Sequence, residues 1–559
     1  MFDFISFKRR RNLWAALGAA FTIVVCLFSN LGAIGLLGPD EPRYAWIARA
    51  MAETGDWVTP RLYGQPWFEK PVLYYWAAGL GFRLHLPSEW AARLPSALAA
   101  FVAVLAIGWF AWRHYGEEGG FVLCPALLAP MLFSTSVAAI AFSRAATPDM
   151  LFASSLALSM AFAAGVLRRS GALRTANASA ASAQSSDIRH LTLFGASIGI
   201  ALLAKGPASI LLAGGALGLW ALLTNQWRAA RRLVHPIAIA SFAVVGLPWY
   251  ILCAVRNPDF LRVFILQHNF ERYLTPVFQH IQPIWFFVPI TIAAKLPWAI
   301  FFVPAGLEGW RIFRQKTWKN SPGVFLFCWV FFPIFFFSFS QSKLPSYVLP
   351  AFPALSVICS LGAIRRFNST RSMPLVLAAG LAAVWIVAAF AVHHFVSRLP
   401  ADWLEQAPFR LSADVIIFLA FLVGALLIYC AYRRSLVLTV ALSSLAVISA
   451  VLYSNFRVLP AFDPMYSARW HEAYLSRDLH ADRIFTFGLK RGWNYGLAFY
   501  FKRHLPEWNP EDPAPALVLT TPKGFHKIES LGRFRGSLDE PHTGIVYVPV
   551  YPLSVNHRF

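Results

Sequence analysis

Residues 12–44 of the chain read NLWAALGAAFTIVVCLFSNLGAIGLLGPDEPRY. The apolar run from Asn12 to Leu37 is long enough to cross a hydrocarbon core, which takes about 20 residues in a helix. It is too long for the apolar region of a secretory signal and lacks a small-residue cleavage site. The charged stretch Pro39–Tyr44 follows at once. This segment predicts a membrane-spanning helix that ends in a polar site at the membrane surface.

Comparable apolar runs recur along the 559 residues, of which 57% are hydrophobic. Their length and lack of charge are typical of membrane spans rather than of a soluble core. The predicted spans are 13–37, 90–112, 120–142, 149–167, 191–204, 208–224, 235–255, 284–306, 322–339, 346–364, 373–394, 412–432 and 436–453. The fold class that follows is an α-helical polytopic membrane protein with about 13 transmembrane helices.

The net charge of +22 is concentrated at the ends of the predicted spans. A charge of this size could indicate nucleic acid, but its placement favours membrane orientation and anionic lipid, so no nucleic-acid partner is expected. One set of connections is rich in Lys and Arg, beginning with residues 8–11, whereas the opposite short connections carry only Arg144, Lys205 and Lys343. The positive-inside rule then places the N-terminus in the cytoplasm and, with an odd number of spans, the C-terminal segment outside the inner membrane.

Two domains are predicted: a transmembrane domain at 1–453 and a small external, periplasmic α/β domain at 454–559. The first includes an external loop, 38–89, with two interfacial helices, the second of which begins at Pro71. The second domain combines a helical stretch at Tyr466–Leu479 with strand-like runs broken by Pro and Gly. These runs are Ile484–Leu489, Ala516–Thr521 and Gly544–Val550.

The external loop carries an unusual concentration of ionisable residues. Asp40 alone could be a helix N-cap. Capping does not explain Asp40, Glu41, Arg43, Glu69 and Lys70 together at one membrane face, where ionisable residues are costly and usually functional.

Further charges fall at the same predicted face: Arg144, Asp149, Lys205, Lys343, His268 and Arg272. For any one of the cations, extension of the side chain to the interface is the ordinary explanation. Together they favour a site in which cations hold a phosphate and carboxylates transfer a proton or orient a nucleophile.

Four stretches carry a resemblance to a known family: Pro39–Tyr44 (PDEPRY), Phe68–Pro71 (FEKP), Lys205–Gly206 and Lys343–Leu349 (KLPSYVL). The chain resembles the lipid A aminoarabinose transferases, bacterial members of the protein O-mannosyltransferase-like family with the GT-C membrane fold. The resemblance covers about residues 12–365. It implies transfer of 4-amino-4-deoxy-L-arabinose from undecaprenyl phosphate to phosphate groups of lipid A at the periplasmic face, which lowers surface charge and gives resistance to cationic peptides such as polymyxin.

In that framework the site residues receive roles. Lys70, Lys205 and Arg272 are expected to clamp the leaving phosphate, because positioned cations contribute most where negative charge develops. The catalytic carboxylates are expected among Asp40, Glu69 and Asp149, with inversion at the sugar carbon in a single displacement. The expected donor-binding or substrate-binding residues also include Arg43, Tyr44, His268, Lys343 and Tyr347.

A cofactor is not fixed by the sequence. GT-C enzymes often use a divalent cation, but no ligand spacing here is diagnostic, and the six cysteines all lie in apolar runs. The metal therefore stays unknown.

Two alternatives stay open. Another lipid-linked glycosyltransferase of the same fold would act on protein or glycan hydroxyls. A lipid-carrier transporter or flippase belongs to a different class, but paired inverted repeats and mid-membrane charges, which are usual in transporters, are not evident.

Overall fold

The computed structural model describes residues 2–116, 118, 120, 123–173, 187–271, 281–316, 318–398, 413–478, 483–512, 515–532 and 544–550. The α-helices of the membrane part are α1 (Phe2–Phe28), α2 (Asp40–Thr54), α3 (Leu73–Arg83), α4 (Ser88–Tyr115), α5 (Pro125–Ser134), α6 (Val137–Ser143), α7 (Asp149–Arg169), α8 (Asp187–Lys205), α9 (Ala208–Thr224), α10 (Trp227–Arg231), α11 (Pro236–Arg256), α12 (Phe287–Ala294), α13 (Phe302–Phe313), α14 (Pro322–Ser338), α15 (Phe352–Arg366), α16 (Met373–Val396), α17 (Ala413–Tyr432) and α18 (Leu436–Tyr453). The C-terminal part adds α19 (Leu459–Tyr466), α20 (Ala468–Asp478), α21 (Arg491–Phe501) and α22 (Pro522–Ser530).

Shorter elements connect these helices. The strands are β1 (Arg61–Leu62), β2 (Gln65–Pro66), β3 (Ile484–Phe487), β4 (Ala516–Thr520) and β5 (Val546–Val550). The 3-10 turns are Arg232–Val234, Trp298–Phe301, Trp318–Asn320 and Pro345–Ala351, and the π turns are Arg262–Glu271 and Ser454–Val458.

Within the described residues, eight helices are long and apolar enough to cross a membrane, and two sharply bent pairs raise the number to as many as ten. The bent pairs are α5 with α6, at 63°, and α12 with the helix Trp298–Phe313, at 110°. Three further apolar helices are shorter, at Asn12–Phe28, Ala208–Thr224 and Pro322–Ser338. Each of the thirteen predicted spans coincides with one of these helices or pairs. The prediction of an α-helical polytopic membrane protein is confirmed.

Neighbouring spans approach closely where glycines face each other, because lipid supplies little hydrophobic drive and helices associate through tight packing. Helix α8 packs along α7 and α11. A Cβ on Gly199 of α8 would lie only 3.0 Å from the backbone nitrogen of Gly246 of α11. This interface therefore excludes larger side chains at Gly199.

The predicted end of the first span, at residue 37, is wrong. Helix α1 stops at Phe28, and residues 29–37 form turns and extended chain. The guanidinium of Arg93 donates to three carbonyl oxygens of this segment, those of Leu31 at 2.8 Å, Ile34 at 2.6 Å and Gly35 at 2.8 Å. Because Arg93 satisfies these carbonyls, the segment does not need helical hydrogen bonds, and its apolar composition alone could not reveal this.

The first loop folds into α2, a small antiparallel β1–β2 hairpin and α3. Helix α2 ends at Gly55, which has a φ of 73° and donates its N–H to the carbonyl of Met51. That left-handed conformation favours glycine at a helix C-terminus. Helix α3 begins at Leu73, two residues after the predicted start at Pro71.

The C-terminal part contains a three-stranded sheet in the order β3-β4-β5, in which β3 and β4 are parallel and β4 and β5 antiparallel. Helix α21 forms the crossover between the parallel strands. Leu517 and Leu519 pack with Leu497 of α21 on one face of the sheet, while Val518 packs with Ile528 of α22 on the other. A small C-terminal α/β unit is therefore confirmed.

Candidate functional site

Arg43 is the centre of one half of the site. It lies one turn after Asp40 on α2, so the two side chains share a helix face. Its Nη2 lies 2.6 Å from Asp40 Oδ1 and 2.9 Å from Glu69 Oε2. The Arg43 side chain is 6% exposed, that of Glu69 12%, and that of Asp40 53%. The N-cap interpretation of Asp40 is not supported, because Asp40 is the first residue of α2 and no side-chain capping bond forms there.

Aromatic rings enclose the Arg43 guanidinium. Its Cζ lies 5.0 Å from the ring centroid of Tyr44, 5.5 Å from that of Trp67 and 5.7 Å from that of Tyr495. Burial by itself lowers the pKa of Arg43, but Tyr44 and the carboxylates of Glu69 and Asp40 hold that pKa above its ordinary value. Arg43 is therefore a permanent cation inside an aromatic cage.

The second half of the site joins the start of α7 to the end of α8. The ammonium of Lys205 donates a short hydrogen bond to Asp149 Oδ1. Both side chains are buried, with 14% and 16% of their surfaces exposed. The hydroxyl of Ser346 also bonds to Asp149. Lys205 Nζ in turn lies 5.1 Å from the ring centroid of Tyr347.

Lys70 links the two halves. Its Nζ lies 3.6 Å from Glu69 Oε1, and its charge also acts on Asp149. Charges of alternating sign therefore follow one another through the site. In order they are Asp40, Arg43, Glu69, Lys70, Asp149 and Lys205. The structure thus brings together residues from positions 40 to 205, and each described carboxylate of this row faces a cation.

The other predicted site residues are placed differently. The amine of Lys343 is buried and donates to the carbonyl oxygens of Gln282 at 2.9 Å and Ser340 at 2.7 Å. Tyr347 is buried with its ring 4.7 Å from that of Phe337. The side chain of His268 and the whole of Arg272 lie outside the described residues. The roles given to these four residues stay predictions.

Glu41 differs from its neighbour Asp40. Its Oε2 accepts from Arg93 Nη2 at 2.8 Å and from the Leu37 N–H at 2.8 Å, while its Oε1 accepts from the Ala146 N–H at 2.7 Å. Glu41 is 8% and Arg93 4% exposed. Glu41 is therefore structural and not part of the row of charges. The presence of an arginine within the predicted span 90–112 was the sequence signal for this buried pair.

Residues of the C-terminal domain also reach the site, which the sequence analysis missed. Tyr495 of α21 contacts Arg43, and Gly492 lies so near Gly38 that a Cβ at Gly492 would be 3.1 Å from its backbone. The Arg49 guanidinium donates to the carbonyl of Phe499 at 2.8 Å and stacks on that ring. No local motif marks these contacts, because they depend on how the domain docks.

A cavity of about 440 Å³ adjoins Glu69. One wall consists of the segment from Pro66 to Glu69, and the other contains Arg256, Asn257, Asp259 and Val263. Among the described residues, no three His, Cys, Asp or Glu side chains converge as metal ligands. The question of a divalent cation stays open.

Comparisons with known proteins agree with this architecture. A family model described as dolichyl-phosphate-mannose-protein mannosyltransferase matches residues 12–264. An undecaprenyl phosphate-alpha-4-amino-4-deoxy-L-arabinose arabinosyl transferase from Erwinia tasmaniensis is 28% identical over 366 residues, 64% of this chain and 62% of the relative. The protein of the same name from Pseudomonas aeruginosa is 29% identical over 406 residues, 72% of this chain and 68% of that protein. The match thus spans less than two thirds of the length of the Erwinia relative.

A solved structure extends the likeness to nearly the whole chain. The crystal structure of ArnT from Cupriavidus metallidurans bound to undecaprenyl phosphate has a TM-score of 0.76 and 23% sequence identity. It covers 96% of this chain and 98% of its own. The apo state of the same protein gives a TM-score of 0.73. At this level of identity the likeness establishes the fold, including the docked C-terminal domain.

Proposed function

Since the chain has the GT-C fold and is similar in sequence to the undecaprenyl phosphate-aminoarabinose transferases of the protein O-mannosyltransferase-like family, we propose that it is an inverting glycosyltransferase. It moves 4-amino-4-deoxy-L-arabinose from undecaprenyl phosphate to phosphate groups of lipid A. The observation that carries this proposal is the row of alternating charges from Asp40 to Lys205, at the end of the helices that bears the C-terminal domain.

The cations of the row fit the leaving phosphate of the donor. In the displacement, an acceptor phosphate oxygen attacks the anomeric carbon, and the bond from that carbon to the carrier phosphate oxygen breaks. The electron pair of that bond passes to the carrier phosphate. Lys70 and Lys205 stabilise this charge, since cations fixed in advance act without reorganisation as the charge develops. Their carboxylate partners Glu69 and Asp149 keep both ammonium groups charged and oriented.

Asp40 has a different task, because it is the most exposed carboxylate of the row. A lipid A phosphate is already anionic near neutral pH, so the reaction needs no strong general base. Asp40 instead positions the reacting groups, held by its 2.6 Å contact with Arg43. It belongs to the edge where substrate enters.

The proposed location is the bacterial inner membrane, with the N-terminus in the cytoplasm and the C-terminal domain in the periplasm. The basic connections between spans support this orientation. Lipid A modified in this way carries less negative charge, and the expected consequence is resistance to polymyxin and other cationic peptides.

Mass spectrometry of lipid A tests the proposal. Cells that express the chain should carry aminoarabinose on lipid A phosphates, and Asp40→Asn or Lys70→Ala should reduce this product by about 100-fold. Arg83→Ala is the matched control, because Arg83 is an exposed cation at the end of α3 and outside the row. Unmodified lipid A in cells with the wild-type chain would contradict the acceptor. Labelled glycoproteins or glycans would then identify a different lipid-linked transferase, and the absence of any covalent product would favour a lipid transporter.

A further inference from the structure

Three buried hydrogen-bond donors near Glu69 have no acceptor within the described part of the chain. They are Arg43 Nε, Trp67 Nε1 and the Tyr75 hydroxyl. Arg43 is 5% exposed and Tyr75 1%. Buried donors are almost always paired in folded proteins, because leaving one unpaired costs its full desolvation. Three of them together therefore indicate a place where a ligand supplies the acceptors.

The three donors belong to one cluster. The Arg43 guanidinium faces the Trp67 ring at 5.5 Å, and the Tyr44 ring beside Arg43 lies 6.1 Å from the Tyr75 ring. Burial raises the pKa of the Tyr75 hydroxyl well above its ordinary value, and the Glu69 carboxylate raises it further. The hydroxyl therefore stays protonated and keeps its donor.

The charge of this cluster selects the kind of ligand. Arg43 faces two carboxylates, Asp40 and Glu69, so the local formal charge is negative and repels a second anion. The cations suited to a phosphate, Lys70 and Lys205, lie on the far side of Glu69. The Arg43 end of the row thus suits a neutral or cationic group that has many oxygen atoms.

A sugar has this chemistry. Its hydroxyls accept from N–H and O–H donors and donate to carboxylates, and its apolar face packs on aromatic rings. Trp67 supplies both an unpaired donor and a ring, and it lines the cavity beside Glu69. At about 440 Å³ that cavity lies in the size range of small-molecule sites.

We propose that Arg43, Trp67 and Tyr75 form the subsite for the sugar of the carrier-linked donor, and that Glu69 receives its amino group. This inference rests on the proposed function. The subsite divides the row of charges between the two parts of the donor, with the sugar on the Arg43 side and the carrier phosphate on the Lys205 side.

The experiment compares binding of two probes to the purified full-length chain in nanodiscs: undecaprenyl phosphate and undecaprenyl phosphate-aminoarabinose. The wild-type chain should bind the sugar-bearing probe more tightly. Tyr75→Phe and Trp67→Phe each remove one donor but keep a ring, and each should reduce this preference about tenfold, equal to about 1.4 kcal/mol. Affinity for the sugar-free probe should not change.

The chain offers a matched control for each variant. The Tyr74 hydroxyl donates to the carbonyl of Ala92 at 2.8 Å, and the Trp76 indole N–H donates to the carbonyl of Trp57 at 2.8 Å. Tyr74→Phe and Trp76→Phe therefore remove donors that already have protein acceptors, and the preference for the sugar-bearing probe should persist. Thermal melting of all four variants separates loss of binding from loss of fold.

The outcomes separate the subsite from the transfer reaction. An unchanged preference in Tyr75→Phe and Trp67→Phe, or equal weakening of both probes, overturns the subsite even if lipid A is modified normally. Equal binding of the two probes by the wild-type chain overturns it as well. A preference lost only in these two variants supports the subsite, even if mass spectrometry shows that lipid A is not the acceptor.

Discussion

Glu41 follows the exposed Asp40 in the chain, and its replacement by alanine is expected to destabilise the fold strongly. The carboxylate accepts four hydrogen bonds, two from Arg93 at 2.8 and 3.3 Å and two from the backbone N–H groups of Leu37 and Ala146. These partners belong to α4, to the end of the first loop segment and to the turn before α7. Glu41 therefore joins three parts of the chain at the site.

The size of the effect follows from burial. Breaking a buried ion pair by removing one partner costs about 3–5 kcal/mol, because the remaining charge stays buried without compensation. Arg93 would keep its three carbonyl acceptors in Glu41→Ala, which favours the lower end, about 3 kcal/mol. Glu41→Gln keeps one carbonyl oxygen and the side-chain volume, so its cost should be smaller.

Thermal melting in detergent, followed with a thiol-reactive dye, measures this difference. The free cysteines that report unfolding are buried or half-buried in the folded chain. Glu41→Ala should lower the midpoint by about 5 °C. Asp40→Asn is the control, because Asp40 is half-exposed, and its salt bridge should contribute less than about 1 kcal/mol.

Two results would refute this reasoning. One is a Glu41→Ala midpoint within a degree of the wild-type value, which would mean that the carboxylate does not stabilise Arg93. The other is an Asp40→Asn midpoint as low as that of Glu41→Ala, which would remove the distinction between the structural and the functional carboxylate.

Three further predictions concern the C-terminal domain. Asp463→Ala removes the partner of Arg469, 2.7 Å away, and should speed limited proteolysis between the domain and the membrane part; an unchanged cleavage rate would show that the pair does not hold the domain. Gly492→Val should lower the turnover number several-fold without lowering the melting midpoint, because a Cβ at this position already lies 3.1 Å from the Gly38 backbone; wild-type turnover would contradict a role for this contact. Burial lowers the pKa of His471 to about 4 from its ordinary 6.5, so the folded chain resists the proton that the unfolded chain accepts. The associated stability is complete above pH 6.5 and is lost as pH falls towards 4, by about 3 kcal/mol in total, and melting of His471→Asn should lack this dependence.

The apolar spans could be predicted from the sequence because length and hydropathy alone determine which segments cross lipid. The predicted end of the first span was wrong for the same reason, since residues 29–37 are apolar but not helical. Their carbonyls are satisfied by Arg93, a residue 56 or more positions further along the chain. Hydropathy contains no information on such a distant donor.

The charges of the site show a similar division. Asp40, Lys70 and Lys205 could be selected from the sequence because ionisable residues at a membrane face are costly. Their partners could not be selected, since the pairing of Lys205 with Asp149 depends on how α7 and α8 cross. The contact of Tyr495 with Arg43 depends on the docking of a separate domain, for which no spacing in the sequence is a guide.

A carboxylate that must meet substrate cannot also be buried, so the position of Asp40 has to be fixed by its neighbours. Glu41 is drawn inwards by Arg93, and Arg43 is held within its aromatic cage, while Asp40 between the loop and the helix stays half-exposed. Loss of either inward anchor should therefore impair turnover as much as loss of Asp40 itself. It follows that activity alone cannot distinguish the reacting carboxylate from its supports, whereas the melting midpoint can: only the anchor variants should lose both stability and turnover.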